Sequence, residues 1–407
     1  MWLTEATPVQ KRALLAASLG WMLDSMDIML YSMVLSYMMG DLGMTKATGG
    51  LMASLTLGAS AFGGIIFGVL ADRIGRARAM MSSILIYSLF TAACGFSQNI
   101  LQLAVFRIFL GLGMGGEWAC GASLVAETWP AQHRGKALGV MQSSWAIGYG
   151  LAAALVWIVL PQFGWRAVFF AGVLPALVAF WIFFYVPEPE IWQRSRRLTD
   201  APSPLAGLLT LWRGEHRRHL IVTTAANAGT MFAWWGLFTW IPSFLSLPPG
   251  RGGAGLDISS TSKWVIFMQV GTWLGYVSFG YISDWLGRKW TYAGYIFVAA
   301  ALVPLYAGTR DPYYLLWIGP LVGFFGTGYF SGFGAITAEI FPTSVRASAQ
   351  GLSYNLGRGV SALAPYIIGK VSGGRGLGFA FLLAAGSFLF AGILALFIPE
   401  TRDRELV

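Results

Sequence analysis

The stretch GVLADRIGRAR at Gly68–Arg78 recurs as GYISDWLGRK at Gly280–Lys289, displaced by 212 residues (284 − 72). Other charged residues match at the same displacement. The matched pairs are Asp72 and Asp284, Arg76 and Arg288, Glu127 and Glu339, Arg134 and Arg346, and Glu188 and Glu400. Matches over so long a span, with no slipped residue, indicate two parallel halves that arose from one duplicated unit. We expect the repeated residues to serve machinery common to both halves.

The composition is that of a chain that crosses a membrane many times. Hydrophobic residues make up 56% of the chain and charged residues 11%, and the mean hydropathy is +0.63. Several apolar stretches exceed the roughly 18 residues that mark a membrane-helix candidate. The predicted spans, six in each half, are Ala13–Met39, Gly49–Ala71, Ala79–Phe96, Leu101–Ala126, Ala137–Pro161, Trp165–Val186, His219–Leu247, Ser262–Tyr281, Trp290–Gly308, Tyr313–Ala338, Ala347–Lys370 and Gly378–Ile398.

Lys and Arg are concentrated in the connections on one side of these spans, which predicts that this side and both termini are cytoplasmic. The net charge of +9 follows from this topology and from attraction to anionic lipid, so it requires no nucleic-acid partner. The predicted domains are a first bundle at 1–186, a cytoplasmic linker at 187–218 and a second bundle at 219–407. Because the chain has no Asn-x-Ser/Thr acceptor, we expect the bacterial cytoplasmic membrane rather than an animal plasma membrane.

Five ionisable residues fall inside the predicted spans: Asp24, Asp27, Arg107, Glu117 and Arg358. At roughly 2.5–3.5 kcal/mol each, five unpaired charges would cost about 12–17 kcal/mol in a membrane. They must therefore pair, become neutral or face a wet cavity. None of the five recurs at the displacement of 212, whereas a structural requirement shared by both halves would recur. This asymmetry favours a role in binding substrate or ions.

The three buried acids are candidates for coupling to protons. Asp24 and Asp27 are three residues apart and share a helix face. Two carboxylates so placed in a low-dielectric site resist double ionisation, which predicts proton uptake from near-neutral solution. Glu117 follows a glycine-rich stretch of the fourth span and is the third candidate. Which acid couples is left open by the residues alone, because each could instead accept a structural hydrogen bond or sit in a permanent ion pair.

The two buried arginines have the sign and the planar fork that suit an anion. Arg358 lies between two glycines, and Asn355 precedes it by one helical turn, so both are predicted to bind substrate. Arg107 could contact the substrate, form a gate, or pair with Asp27 or Glu117. The other candidate lining residues are Tyr31, Trp118, Gln142, Tyr329 and Tyr354.

The repeated charges predict latches that set the conformational state rather than bind substrate. In the first half they are Asp72, Arg73, Arg76, Glu127 and Arg134, and in the second half Asp284, Arg288, Glu339 and Arg346. The alternative is that the arginines only fix the orientation of the chain in the membrane.

These residues together resemble the major facilitator superfamily of secondary transporters. The resemblance is carried by the repeated turn, by Arg107, Gly111 and Gly115 (similar to that family's RxxxGxxxG element), and by Pro187-Glu188 and Pro399-Glu400-Thr401 at the ends of the halves. DSMD at Asp24–Asp27, GWRAVFF at Gly164–Phe170 and LGRG at Leu356–Gly359 look most like the sialate and aromatic-acid proton symporters. The resemblance implies an all-α membrane protein with twelve transmembrane helices in two six-helix bundles.

We therefore expect a proton-coupled symporter that imports a small organic carboxylate by alternating access, as a monomer with no cofactor or metal. The alternatives within transport are a drug/proton antiporter, which two buried arginines would disfavour, and a uniporter of neutral sugar. A non-transporting membrane sensor would not require three buried acids. An enzyme is not expected, because no connection is long enough to hold an active site.

Overall fold

The computed structural model describes residues 3–195, 214–341 and 343–402, and within these ranges its regular structure is helical with no β-strand. An apolar segment in lipid can satisfy its backbone N–H and C=O groups only internally, which is why such segments form helices. The helices before the gap at 196–213 are α1 (Pro8–Asp41), α2 (Lys46–Ile74), α3 (Arg76–Gly95), α4 (Ile100–Thr128), α5 (Ala131–Phe170), α6 (Leu174–Tyr185) and α7 (Glu190–Ser195).

The helices after that gap repeat the same pattern of long apolar segments and short connections. They are α8 (Gly214–Phe238), α9 (Ile241–Ser246), α10 (Ile258–Leu286), α11 (Arg288–Gly308), α12 (Pro312–Gly328), α13 (Phe330–Ile340), α14 (Thr343–Ser361) and α15 (Ala364–Ala395). The α8 and α9 segments are separated near Trp240, and α12 and α13 are separated at Tyr329.

Eight helical stretches in the described part of the chain are long and apolar enough to cross a membrane. The longest two, His133–Tyr185 with 53 residues and Leu352–Ala395 with 44, far exceed the roughly 20 residues of one crossing. Each contains a glycine with left-handed backbone, Gly164 at φ 75° and Gly376 at φ 79°, where the helix is broken. These two breaks are themselves 212 residues apart (376 − 164), so the repeat extends to the backbone.

The described residues form two compact units. The first contains residues 3–195 with 258–266, and α1 is its most buried long helix, with 78% of its apolar window inside the fold. In this unit α1 packs on α5, and α4 packs on α2 and α3. The second unit contains residues 214–257 and 267–402, where α8 packs on α14 and α15, and α11 packs on α15.

The repeated charged turns are built alike in the two units. Gly75 (φ 112°) ends α2 and Gly287 (φ 98°) ends α10, conformations that a side chain would strain. The next helix of each unit is capped by an acid from far along the chain. The carboxylate of Glu188 accepts hydrogen bonds from the backbone N–H groups of Ala77 (3.2 Å) and Arg78 (3.0 Å), and that of Glu400 accepts from Arg288 N–H (2.8 Å). A negative charge at a helix N-terminus stabilises both turns.

Candidate functional site

The three acids predicted from the sequence all lie inside the first unit. The exposed fractions of Asp24 and Asp27 on α1 are each 1%, and that of Glu117 on α4 is 0%. Asp27 Oδ2 accepts a hydrogen bond of 2.9 Å from Thr91 Oγ1 of α3, and its Oδ1 has no hydrogen-bond partner in the described residues. All three carboxyl groups therefore lie in the interior of one bundle.

Glu117 has its place because Gly20 leaves room for it. A Cβ at position 20 would collide with the Glu117 carboxyl group and would also touch Ile84 of α3. The acid of α4 is therefore enclosed between α1 and α3, one and two helical turns along α1 from Asp24 and Asp27. Gly20 is therefore a structural component of the acidic site.

Two further residues of this site, Thr91 and Tyr87 of α3, were not predicted from the sequence. Thr91 holds Asp27 through the hydrogen bond above, and Tyr87 interacts electrostatically with Asp24, Asp27 and Glu117. Both side chains are fully buried. Because Tyr87 and Thr91 are four residues apart, the sequence places them on one face of α3. Only the packing of α3 shows that this face meets the acids.

Arg107 lies in the same unit but forms no ion pair with an acid of the described chain. Its guanidinium carbon sits 3.8 Å from the centroid of the Tyr31 ring, and its Nε donates to the Met52 carbonyl oxygen at 3.3 Å. The Tyr31 hydroxyl donates to the Gly49 carbonyl oxygen at 2.7 Å. The alternative in which Arg107 pairs with Asp27 or Glu117 is therefore not realised in this conformation. A cation–π contact replaces the ion pair because Tyr31 covers the guanidinium.

Arg358 on α14 is the buried cation of the second unit, with an exposed fraction of 5%. Its guanidinium makes no hydrogen bond or ion pair with the residues that the structure describes. The preceding residue, Gly357, lies against Asn227 of α8, and Asn227 Nδ2 donates to the Ser353 carbonyl oxygen at 3.1 Å. The α14 backbone around Arg358 is thus fixed by α8 while its charged group is left available.

The remaining lining candidates divide by burial. Asn355 is exposed and Tyr354 half-buried, so the turn before Arg358 presents polar groups outward. In the first unit, half-buried Trp118 donates through Nε1 to Gln142 Oε1 at 3.3 Å. Tyr31 and Tyr329 differ from the expectation, because both are fully buried and their hydroxyls donate to backbone carbonyls. In this conformation neither of these tyrosines is accessible to a ligand.

The repeated charges of the first unit form a compact cluster around Arg76. Its guanidinium binds Glu127 through Nε (3.1 and 3.2 Å) and Nη2 (2.9 Å), and binds Asp72 Oδ1 through Nη1 at 2.7 Å. Arg73 and Arg134 are exposed and form no ion pair within the described residues. Glu127 therefore pairs with Arg76 here, and the part of Arg134 in a latch stays a prediction. Glu127 faces the start of α3, whereas Arg134 lies in the exposed first turn of α5, after Pro130.

The second unit repeats this cluster in a weaker form. Arg288 pairs with Asp284, but its contact with Glu339 is one 3.4 Å bond from Nε. The other oxygen of Glu339 accepts a 2.6 Å hydrogen bond from Thr401 Oγ1. The side chain of Arg346 lies outside the described residues.

Comparison with known proteins identifies the family. The sequence model described as "Major Facilitator Superfamily" matches residues 17–258, and one described as "Sugar (and other) transporter" matches 320–407. The chain is 32% identical over 397 residues to the "Cis,cis-muconate transport protein" of Acinetobacter baylyi, covering 96% of this chain and 94% of that protein. It is 30% identical over 390 residues to the "Sialic acid transporter NanX" of Escherichia coli, covering 95% and 93%.

A solved structure shares the fold. The inward-facing, unoccupied crystal structure of a bacterial homologue of the human lysosomal transporter Spinster matches with a TM-score of 0.75, covering 97% of both chains. The sequence identity to that protein is 17%, so the likeness concerns the fold alone.

Proposed function

The chain belongs to the major facilitator superfamily, and from that premise we propose that it is a proton-coupled symporter that carries a small organic carboxylate by alternating access. It is an integral membrane protein and a transporter, not an enzyme. We propose import as the direction of transport, a proton as the coupling ion and a carboxylate as the substrate.

The proposed architecture has twelve transmembrane helices in two six-helix bundles, at 1–186 and 219–407, joined by a cytoplasmic linker at 187–218. The breaks at Gly164 and Gly376 support it, because each divides a stretch too long for one crossing into two. The segments α8–α9 and α12–α13, which are interrupted, account for the other crossings. Both termini are cytoplasmic, the membrane is the bacterial cytoplasmic membrane, and the carrier is a monomer.

The observation that carries the proposed substrate class is Arg358. A guanidinium does not deprotonate in a protein, so a buried one without a partner in the described residues needs an anion. Cis,cis-muconate and sialic acid, for which two relatives are named, are carboxylic acids. A carboxylate would match the guanidinium fork with two parallel hydrogen bonds.

The segregation of charge supports the proposed proton coupling. The acids Asp24, Asp27 and Glu117 cluster in the first unit, whereas Arg107 beside them is engaged by Tyr31 and Arg358 belongs to the other unit. An ionised carboxylate inside a membrane bundle is costly unless it is paired or neutralised. In the proposed cycle, protonation of these acids and binding of the carboxylate at Arg358 together yield a loaded carrier without uncompensated buried charge. The repeated clusters around Arg76 and Arg288 serve as latches of alternating access.

Uptake into proteoliposomes tests the function. A panel of muconate, aromatic acids, sialic acid, sugar acids, a neutral sugar and a cationic drug is offered with and without an inward proton gradient. We expect one carboxylate class to accumulate only with the gradient. Gradient-independent equilibration of the neutral sugar alone would identify a uniporter, and expulsion of the cation would identify an antiporter.

Replacing Asp27 tests coupling separately from binding. Asp27→Asn keeps an oxygen that can accept from Thr91 but removes the titratable proton, so it should abolish uphill accumulation while preserving substrate exchange. The control is Asp311→Asn, because Asp311 caps the exposed start of α12. Full accumulation by Asp27→Asn would remove Asp27 from the coupling mechanism.

A further inference from the structure

The residues of the acidic site are arranged in levels along the bundle axis, one at each successive turn of α3. At one level Ile84 of α3 and Gly20 of α1 enclose Glu117. One turn further along α3 is Tyr87, and one more turn brings Thr91 to its hydrogen bond with Asp27. From Gly20 to Asp27 the rise along α1 is about 10 Å, at 1.5 Å per residue. The Gly20 and Asp27 positions of α1 are therefore about two turns apart, and Asp24 lies between them.

Tyr87 occupies the interval between these two levels. Its exposed fraction is 0%, and its hydroxyl has no hydrogen-bond partner among the residues that the structure describes. An unsatisfied buried hydroxyl is destabilising, so its retention calls for a reason. The charged groups that act on it are the carboxyls of Asp24 and Asp27 from α1 and of Glu117 from α4. Cys94 lies one turn beyond Thr91 on α3, and the charged groups that act on it are Arg107 and Asp27.

We propose that the Tyr87 hydroxyl relays the coupled proton between the α1 acids, Asp24 and Asp27, and Glu117 of α4, inside the first bundle. This inference rests on the proposed function, because it assigns a route to the proton that the symporter carries. It also separates the proton from the substrate: the relay is enclosed by α1, α3 and α4, whereas Arg358 belongs to the second unit.

The relay conserves charge at Tyr87. The O–H bond of the protonated α1 acid breaks as an O–H bond forms on the Tyr87 oxygen, and the original phenolic proton passes to the Glu117 carboxylate. The α1 acid is left as a carboxylate, Glu117 becomes neutral, and Tyr87 is neutral before and after. Transfer in the opposite direction reverses each step. Because its electrostatic neighbours are acids, Tyr87 takes a proton as it gives one and does not persist as a phenolate.

The test is Tyr87→Phe, which removes the hydroxyl and keeps the ring. The matched control is Tyr306→Phe in the second unit. The Tyr306 hydroxyl is equally buried and also lacks a hydrogen-bond partner in the described residues, and no acid acts on it. Reconstituted wild type and both variants are compared in two assays: substrate exchange at equal pH on both sides, and initial uptake driven by a proton gradient.

We expect Tyr87→Phe to retain exchange and to lose driven uptake by about 100-fold, the lower end of what a positioned proton donor or acceptor contributes. Tyr306→Phe should match wild type in both assays. Driven uptake by Tyr87→Phe at the wild-type rate would overturn the relay and leave the symporter standing. Loss of exchange together with driven uptake would assign Tyr87 a structural role and overturn the relay as well. If wild type itself ignores the proton gradient, the proposed function fails and the relay fails with it.

A double-mutant cycle with Glu117→Gln examines the route. If Tyr87 and Glu117 act in one step, the double variant should lose no more driven uptake than the more severe single variant. Losses that multiply would place the two residues in separate steps and overturn the route through Glu117.

Discussion

At the scale of single residues, Arg358 differs in its surroundings from the other well-buried arginines that the structure describes. Arg76 and Arg288 bind acids, and Arg107 is covered by Tyr31. Arg358 is as buried as a core residue and yet makes no polar contact from its guanidinium within the described chain. A cation held in this way is stabilised by a bound anion, which is why we propose Arg358 as a binding group.

Substitution of Arg358 should separate charge from geometry. Arg358→Ala leaves the carboxylate desolvated without a partner and should weaken binding by roughly 1.5–3 kcal/mol, about 10- to 150-fold. Arg358→Lys keeps the charge but loses the bidentate fork, so its affinity should fall between wild type and Ala. Calorimetry at fixed pH measures both, with Arg375→Ala, an exposed arginine over Phe379, as the control.

An amide analogue of the best ligand completes the Arg358 test. Wild type should bind the amide less tightly than the acid. Equal binding of the two, or wild-type affinity in Arg358→Ala, would favour a neutral substrate instead.

At the scale of elements, the duplicated turns have diverged in strength. In the first turn Arg76 binds Glu127 with three contacts of 2.9 to 3.2 Å. In the second turn the corresponding acid, Glu339, shares its carboxylate between Arg288 and Thr401. A bidentate, half-buried guanidinium–carboxylate pair stabilises more than a single long contact. The α2–α3 turn is therefore held more firmly than the α10–α11 turn.

Neutralising the two equivalent acids should expose this difference. Glu127→Gln removes a charge-assisted pair worth roughly 1.5–3 kcal/mol, and Glu339→Gln should cost less because Thr401 can still donate to the amide oxygen. The melting temperatures in detergent should fall in the order wild type, Glu339→Gln, Glu127→Gln. The two positions are each other's matched control, and a larger loss for Glu339→Gln would contradict the geometry.

At the scale of the whole molecule, the displacement of 212 residues predicts equivalent topology for the two halves. Arg73 and Trp285 follow the ends of equivalent transmembrane segments, and Gln98 and Arg310 lie in the equivalent connections at the opposite ends of α3 and α11. All four side chains are exposed. Members of each pair should therefore face the same side of the membrane.

Single cysteines at these four positions test the topology, in a background where the buried thiols Cys94 and Cys120 are replaced by Ala. An impermeant thiol reagent should label Gln98→Cys and Arg310→Cys in intact cells. It should label Arg73→Cys and Trp285→Cys only after permeabilisation. Opposite accessibility within either pair would mean an odd number of crossings between its members and would contradict the twelve-helix proposal.

Much of this structure could be predicted from local sequence. Hydropathy identified the long apolar helices, because it depends only on residues that are close together in the sequence. The constant displacement identified the repeat, because the second half copies the first. The five buried charges were also identified, because a charge within an apolar segment is conspicuous whatever the fold. The same reasoning predicted that Tyr329 lines the pocket and that Arg134 joins the latch; in this conformation Tyr329 is fully buried and Arg134 is exposed.

The partners of those charges were decided by tertiary structure. Thr91 reaches Asp27 across 64 residues, Glu188 caps α3 from 111 residues away, and Arg107 lies on Tyr31 rather than on an acid. Tyr87 becomes notable only once α3 is packed beside Asp24 and Glu117. Periodicity tells which face of a helix is apolar, but not which helix meets that face. Local sequence was enough to recognise the membrane helices, the duplication and the buried charges, whereas packing sets which of those charges are paired or covered.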